Sequence, residues 1–194
     1  MALTEHCYSV LLVSASDKLT ASLRAMLPCD RYDPVVVAGD VASARRCLLE
    51  NPFDLLLINT PLPDDFGTHL ALDVCNSSGT GVLLLVRAES YPDISARVAP
   101  YGILVLSKPT NSAILTQSLT LCCATRDRLR RMEEKAATME EKMEEIRLVN
   151  RAKWLLIEQL RMTESEAHRY IEKQAMDRCV TKRSIAENII SMYS

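Results

Sequence analysis

The chain has 194 residues, 48% hydrophobic and 25% charged, with a formal net charge of −2. That leaves room for one large domain or two small ones, with enough apolar material for a sizeable core. The opening MALTEHCYSVLLVSASD has no basic leader and no apolar run long enough for a signal peptide or membrane span, so a cytoplasmic protein without membrane contact is expected.

Val10 to Val13 is a short apolar run that fits a buried parallel strand. Ser14, Ser16 or Asp17 can cap a helix from about Asp17 to Leu27, which carries Leu19, Leu23, Met26 and Leu27 on one face and is ended by Pro28. Further strands are predicted at Tyr32 to Ala38, Leu55 to Ile58, Val82 to Val86 and Ile103 to Leu106. Helices are predicted between them at Val41 to Glu50, Thr68 to about Cys75, and around Asp93 to Val98. Five βα units whose strands have no polar face call for a parallel, doubly wound sheet covered on both sides. In such sheets the functional crevice lies at the carboxyl ends of the strands. Those ends carry Ser14-Ala15-Ser16, Asn59-Thr60, Val86-Arg87 and Ser107-Lys108-Pro109.

This half resembles the receiver domain of two-component response regulators, through FDLLLINTPLPDDFG with Pro63 and Gly67, and through Lys108-Pro109. The resemblance implies a flavodoxin-like fold and a phospho-acceptor aspartate at the end of the third strand, where this chain has Asn59. The acidic pair expected after the first strand is Ser14-Ala15, and the switch hydroxyl falls at about Val86, beside Arg87. Only Lys108 is kept. An amide is a poor nucleophile, and magnesium prefers a cluster of hard oxygen ligands. Asp17 lies beyond one strand end and Asp54 at another strand's start, so neither replaces the missing carboxylates. The expectation is a pseudo-receiver: a degenerate phosphorylation site of Asn59, Ser14, Ala15, Val86 and Lys108, with no metal and no cofactor.

A long helix should begin near Asn111 or Ser112. From Arg126 to Leu160 it has no Gly or Pro, and apolar or small residues recur at Leu129, Met132, Ala136, Met139, Met143 and Ile146. Steps of alternately three and four are the heptad signature of a coiled coil. Extended forward, the seam reaches Asn150, a residue type that fixes register and favours a dimer. Extended backward, a weaker seam passes through Thr125, Cys122, Ser118 and Leu115. A parallel homodimer through this seam is expected.

Beyond Arg147 the apolar face widens to include Leu148, Val149, Ala152, Leu155, Leu156, Ile157 and Leu160, too many for a two-stranded seam. Thr163 to Glu166 fits a capping box opening a helix to about Asp177, and Thr181 can cap a last helix bearing Ile185, Ala186, Ile189 and Ile190. A three-helix bundle follows.

Arg151-Ala-Lys153, then Leu155, Leu156 and Ile157, then Thr163, Glu166, Ala167, Tyr170, Ile171, Ala175 and Met176, then Ile185, Ala186, Ile189 and Ile190 together resemble the ANTAR domain, the RNA-binding output module of transcription antiterminators. Trp154 stands where that family often has Gly. The resemblance implies a dimer that binds paired hairpins in nascent leader RNA and so prevents termination. Charge agrees. Residues 1–125 hold 8 basic and 12 acidic side chains, residues 126–145 hold 6 and 7, and residues 146–194 hold 9 and 6. A polyanion is therefore expected at the C-terminal end. The candidate RNA contacts are Arg147, Arg151, Lys153, Trp154, Arg169, Lys173, Arg178, Lys182 and Arg183.

The expected organisation is a receiver-like domain over 1–121, a coiled-coil dimerisation helix over 122–146 and an ANTAR-like bundle over 147–194, the family domain itself counted from about 132. The fold class is α/β plus all-α. A non-enzymatic RNA-binding regulator is expected, with a sensor or regulatory protein as a further partner. The competing readings are a DNA-binding response regulator, with its last two helices as a helix-turn-helix, and a protein-interaction scaffold. The last helix offers few base-reading side chains, which weighs against DNA. The seven cysteines include no CxxC pair and read as small hydrophobes in a reducing cytosol.

Overall fold

The computed structural model describes residues 6–193. The elements in order are β1 (Tyr8–Val13), α1 (Asp17–Ala25), β2 (Tyr32–Ala38), α2 (Val41–Glu50), β3 (Leu55–Asn59), α3 (Thr68–Ser77), β4 (Gly81–Arg87), α4 (Tyr91–Val98), β5 (Leu104–Lys108), α5 (Ser112–Leu160), α6 (Glu164–Arg178) and α7 (Lys182–Tyr193), with a single 3-10 turn on either side of α4. The chain divides into two compact units, the first ending at Arg131 and the second starting at Met132.

In the first unit the strands are all parallel, in the order β2-β1-β3-β4-β5. Because side chains alternate across a strand, each apolar run feeds two cores. Leu11, Val13, Leu56, Ile58, Leu84 and Val86 pack with α2, α3 and α4 on one face. Val10, Leu12, Leu55, Leu57, Leu83 and Leu85 pack on the other face with Leu23 of α1 and with Leu115, Leu119, Cys122 and Cys123 of α5. This corrects the backward extension of the seam. Leu115 and Cys122 are buried against their own sheet and are not available to a partner helix.

Three strands run further than their apolar residues suggest. Asn59 pairs with Leu85, and Arg87 with Lys108, so the ladder carries polar side chains to the carboxyl edge. Helix α1 stops earlier, at Ala25, with Met26 as its C-cap and Ser16 as its N-cap. Gly67, at φ 89°, starts α3 where a Cβ atom would lie 2.9 Å from Ile58 Cγ2, so both the backbone and the space call for glycine.

At the opposite edge of the sheet, α5 is tied down by polar contacts. Tyr8 Oη donates to Asp127 Oδ2 at 2.7 Å, and Arg126 Nε lies 3.2 Å from Asp54 Oδ1. Burial acts to raise the Asp54 pKa. Hydrogen bonds from the Ser9 N–H and Oγ, with His6 and Arg126 close by, outweigh it and hold the carboxyl below its usual range.

The cysteines divide differently from the expectation. Cys122 and Cys123 are buried, but Cys7, Cys29 and Cys179 are exposed, because each of these three lies at an element end or in a loop.

In the second unit, Ala152 and Leu156 of α5 bury against Ala167, Ile171 and Ala175 of α6 and Ile185, Ala186 and Ile189 of α7. Alanine at the central positions lets the helices approach closely. The Thr163–Glu166 capping box is formed in both directions, and Thr181 Oγ1 accepts from the Ser184 N–H at 3.2 Å. Cys179 takes the left-handed C-cap conformation of α6, at φ 53°.

Candidate functional site

The carboxyl edge of the sheet brings Ser14, Asn59 and Lys108 together. Asn59 and Ser14 are buried. The Asn59 amide donates through Nδ2 to Ser14 Oγ at 3.0 Å, and its Oδ1 accepts from Lys108 Nζ at 2.5 Å. Lys108 Nζ also donates to the Thr60 carbonyl. Both ends of the amide are thus satisfied by neutral or cationic partners, and the position carries no charge for a metal to meet. Burial, and secondarily the nearby Arg87 charge, push the Lys108 ammonium below the usual lysine range.

Asp64, Asp65 and Asp54 are engaged elsewhere. Asp64 accepts from the Val41 and Ala42 N–H groups at the start of α2, and Asp65 from the Gly67 N–H. Asp54 sits at the opposite end of β3 from Asn59. Among the described residues, no group of three or more His, Cys, Asp or Glu is placed to hold a metal ion. Ala15 is exposed beside this site and contributes no ligand atom. Val86 is not part of it, because its side chain is buried in the core facing α3 and α4. The residue beside Lys108 is Arg87, one position later, which the alternation of side chains along β4 puts on the other face.

From Leu129 onward, the apolar stripe of α5 is uncovered. Leu129, Met132, Met139, Met143 and Ile146 are all exposed, Met139 by 64% and Ile146 by 59%. Ala136 and Asn150 are exposed too. The stripe ends at Lys153, the next position of the repeat, whose Nζ is held 2.8 Å from Glu164 Oε1 of α6.

The bundle divides the nine candidate contacts into two groups. Arg147, Arg151 and Trp154 are spaced i, i+4, i+7 on one exposed face of α5, and Trp154 is 71% exposed. Arg169 and Lys173 form an exposed i, i+4 pair on α6, and Arg178 ends that helix. Lys153, Lys182 and Arg183 are instead engaged, with Glu164, Glu172 and Glu187 respectively. Arg147 makes only a loose pair with Glu144, at 3.7 Å. The partners of Lys153 and Lys182 lie on another helix and follow from helix packing, which sequence spacing does not report, whereas Arg183 and Glu187 are four apart on α7. Packing also forms a groove of about 390 Å³ whose lining includes Lys142, Ile146, Asn150, Lys153, His168 and Lys182.

The first unit has a receiver-type fold, and the second is a small helical bundle. Solved structures of similar fold include the signal receiver domain of an HD domain-containing protein from Pseudomonas fluorescens Pf-5, with TM-score 0.59 and 22% identity over 68% of this chain and 96% of that one. The chemotaxis response regulator CheY4 of Vibrio cholerae gives TM-score 0.53 and 22% identity over 60% and 99%. Residues 137–190 match the ANTAR domain. The transcriptional regulatory protein PdtaR of Mycobacterium tuberculosis is 28% identical over 182 residues, which are 93% of this chain and 88% of that protein. Residues 137–190 are therefore an ANTAR domain, the sheet that precedes them in the chain has the receiver fold, and the chain as a whole is similar to PdtaR. At the level of that domain family the match supports a regulatory role associated with RNA and antitermination. Among the described residues no helix is long and apolar enough to cross a membrane.

Proposed function

We propose that the chain is a transcription antitermination regulator that acts as a homodimer on paired hairpins in nascent leader RNA. The observation that carries the reading is the coincidence of the ANTAR match with two features of the same segment. An uncovered heptad stripe runs up to Asn150, and the exposed Arg147, Arg151 and Trp154 flank its end on the same helix. Arginines engage loop phosphates, and an exposed indole offers a face on which an unpaired base stacks. Two bundles on one dimer grip two hairpins, and the second contact gains from high effective concentration. The basic residues already paired with glutamates on the bundle contribute less. Binding there must first displace a carboxylate.

Gel-shift titration with leader RNA bearing tandem hairpins, against promoter DNA of equal length, tests this. RNA is expected to bind at least tenfold tighter at equal salt, and the affinity should fall steeply as salt rises. Preference for the DNA duplex would instead favour a helix-turn-helix role.

The receiver-fold domain is proposed to be controlled by a partner protein or ligand, not by phosphoryl transfer. Asn59, Ser14 and Lys108 satisfy one another, and Asn59 offers no carboxylate to attack phosphorus. Incubation with a small phosphodonor and Mg²⁺ is expected to leave the intact mass unchanged. A labile adduct retained only by the folded protein refutes this point.

A further inference from the structure

Heptad positions on α5 carry a second pattern beside the apolar stripe. With Leu129, Ala136, Met143 and Asn150 as the a residues, Met132, Met139 and Ile146 take d. The g positions are then Arg128, Lys135 and Lys142, all basic. The e positions are Glu133, Glu140 and Arg147, acidic until the last. In a parallel, in-register pair of helices, each g residue meets the e residue five positions on in the other chain. Arg128 then meets the partner's Glu133, and Lys135 meets the partner's Glu140. An antiparallel pair sets g against g and e against e, placing like charges together. The charges therefore select the parallel arrangement.

The third step of the pattern reverses sign. Lys142 meets the partner's Arg147, twice per dimer, so four cations converge around Ile146 and Asn150. Among the described residues no partner neutralises either residue well. Lys142 forms no ion pair among the described residues, and Arg147 has only the loose contact with Glu144. The place is also continuous with the groove on the second unit, where Lys142 and Ile146 share a wall with Lys153, His168 and Lys182, with Glu145 as the one acidic residue in that lining.

We infer that Lys142 and the partner's Arg147 form a composite phosphate-binding junction in the dimer, which repels in the free protein and is neutralised by RNA phosphates. This rests on the homodimeric, RNA-binding reading and adds a regulatory consequence. RNA tightens the dimer, and by linkage dimerisation tightens RNA. The Arg128 and Lys135 pairs hold register upstream, while the junction stays open until polyanion arrives.

The test is a charge-reversal cycle on the full chain, read by sedimentation equilibrium. Lys142→Glu or Arg147→Glu alone converts two repulsive pairs into attractive ones, and each is expected to lower the dimer dissociation constant roughly fivefold without RNA. Lys142→Glu with Arg147→Glu restores like charges, now negative, and the constant returns to near the unsubstituted value. A defined RNA carrying two stem-loops is expected to tighten the unsubstituted dimer roughly tenfold and the Lys142→Glu dimer about twofold. A dimer that binds the RNA but is indifferent to the single reversals, or one tightened equally by RNA in both forms, overturns the junction and leaves the dimeric reading standing. Absence of any dimer overturns both.

Discussion

Replacing Ile171 by alanine is expected to unfold the output unit while the sheet domain stays folded. Ile171 is fully buried at the middle of α6, in a core of eight buried residues of which four are alanines. Truncating a buried isoleucine costs about 2–5 kcal/mol. A unit of some sixty residues has little margin beyond that. Two thermal transitions are expected for the unsubstituted chain. In Ile171→Ala the one that belongs to the second unit should fall below room temperature, and RNA binding should be lost with it. Circular dichroism with a tryptophan fluorescence probe reads this, since Trp154 is the only tryptophan and lies in that unit. An unchanged melt with RNA binding intact would show that the packing is not what supports the interface.

The second large effect concerns the seam. Met143→Lys places a lysine at an a position, facing its copy in the partner and adjoining Lys142. Burying or splaying that pair of charges costs about 3 kcal/mol, or more than a hundredfold in dimer affinity. Sedimentation should therefore show monomer at concentrations where the unsubstituted chain is dimeric. The substituted residue is exposed in the single chain, so the melting of each unit should hardly change. RNA carrying two hairpins should then bind about as weakly as RNA carrying one, since the gain from linking two bundles is gone. Retained dimerisation would move the interface elsewhere on the chain.

How much of this was legible in the sequence depends on the kind of signal. The five strands and their helices were readable because apolar runs bounded by turn residues leave few alternatives to a doubly wound sheet. The differences lie at the ends of elements, as in α1, which stops at Ala25, and in three of the strands. Asn59, Arg87 and Lys108 extend the ladder by backbone pairing, which polarity of the side chain does not report. The displacement from Val86 to Arg87 is a period-2 effect: a shift of one residue sends a side chain to the opposite face. That the third strand ends in an amide and not a carboxylate is plain from Asn59 alone, but the bridge that Lys108 makes between Asn59 and the Thr60 carbonyl arises only in the folded chain. The heptad predicted a stripe on α5 from Leu115 onward. Its first part is claimed by the sheet because Leu115 and Cys122 serve the domain core, and a periodic pattern cannot say which neighbour will cover it. On the bundle, charge alone could not separate Arg151, Arg169 and Lys173 from Lys153, Lys182 and Arg183. The carboxylates that engage the latter three are Glu164, Glu172 and Glu187. Two of these pairs join different helices, and no sequence spacing foretells them.

The measurement that bears most directly on the central claim is single-round transcription with purified polymerase. The template carries a leader with tandem hairpins before an intrinsic terminator, taken from the genomic neighbourhood of this chain. Adding the full chain is expected to raise read-through several-fold, with half-maximal effect near the concentration at which it dimerises, and Met143→Lys should abolish the gain. Termination that stays unchanged across the dimerisation range, on a leader that the chain demonstrably binds, would contradict the antitermination account.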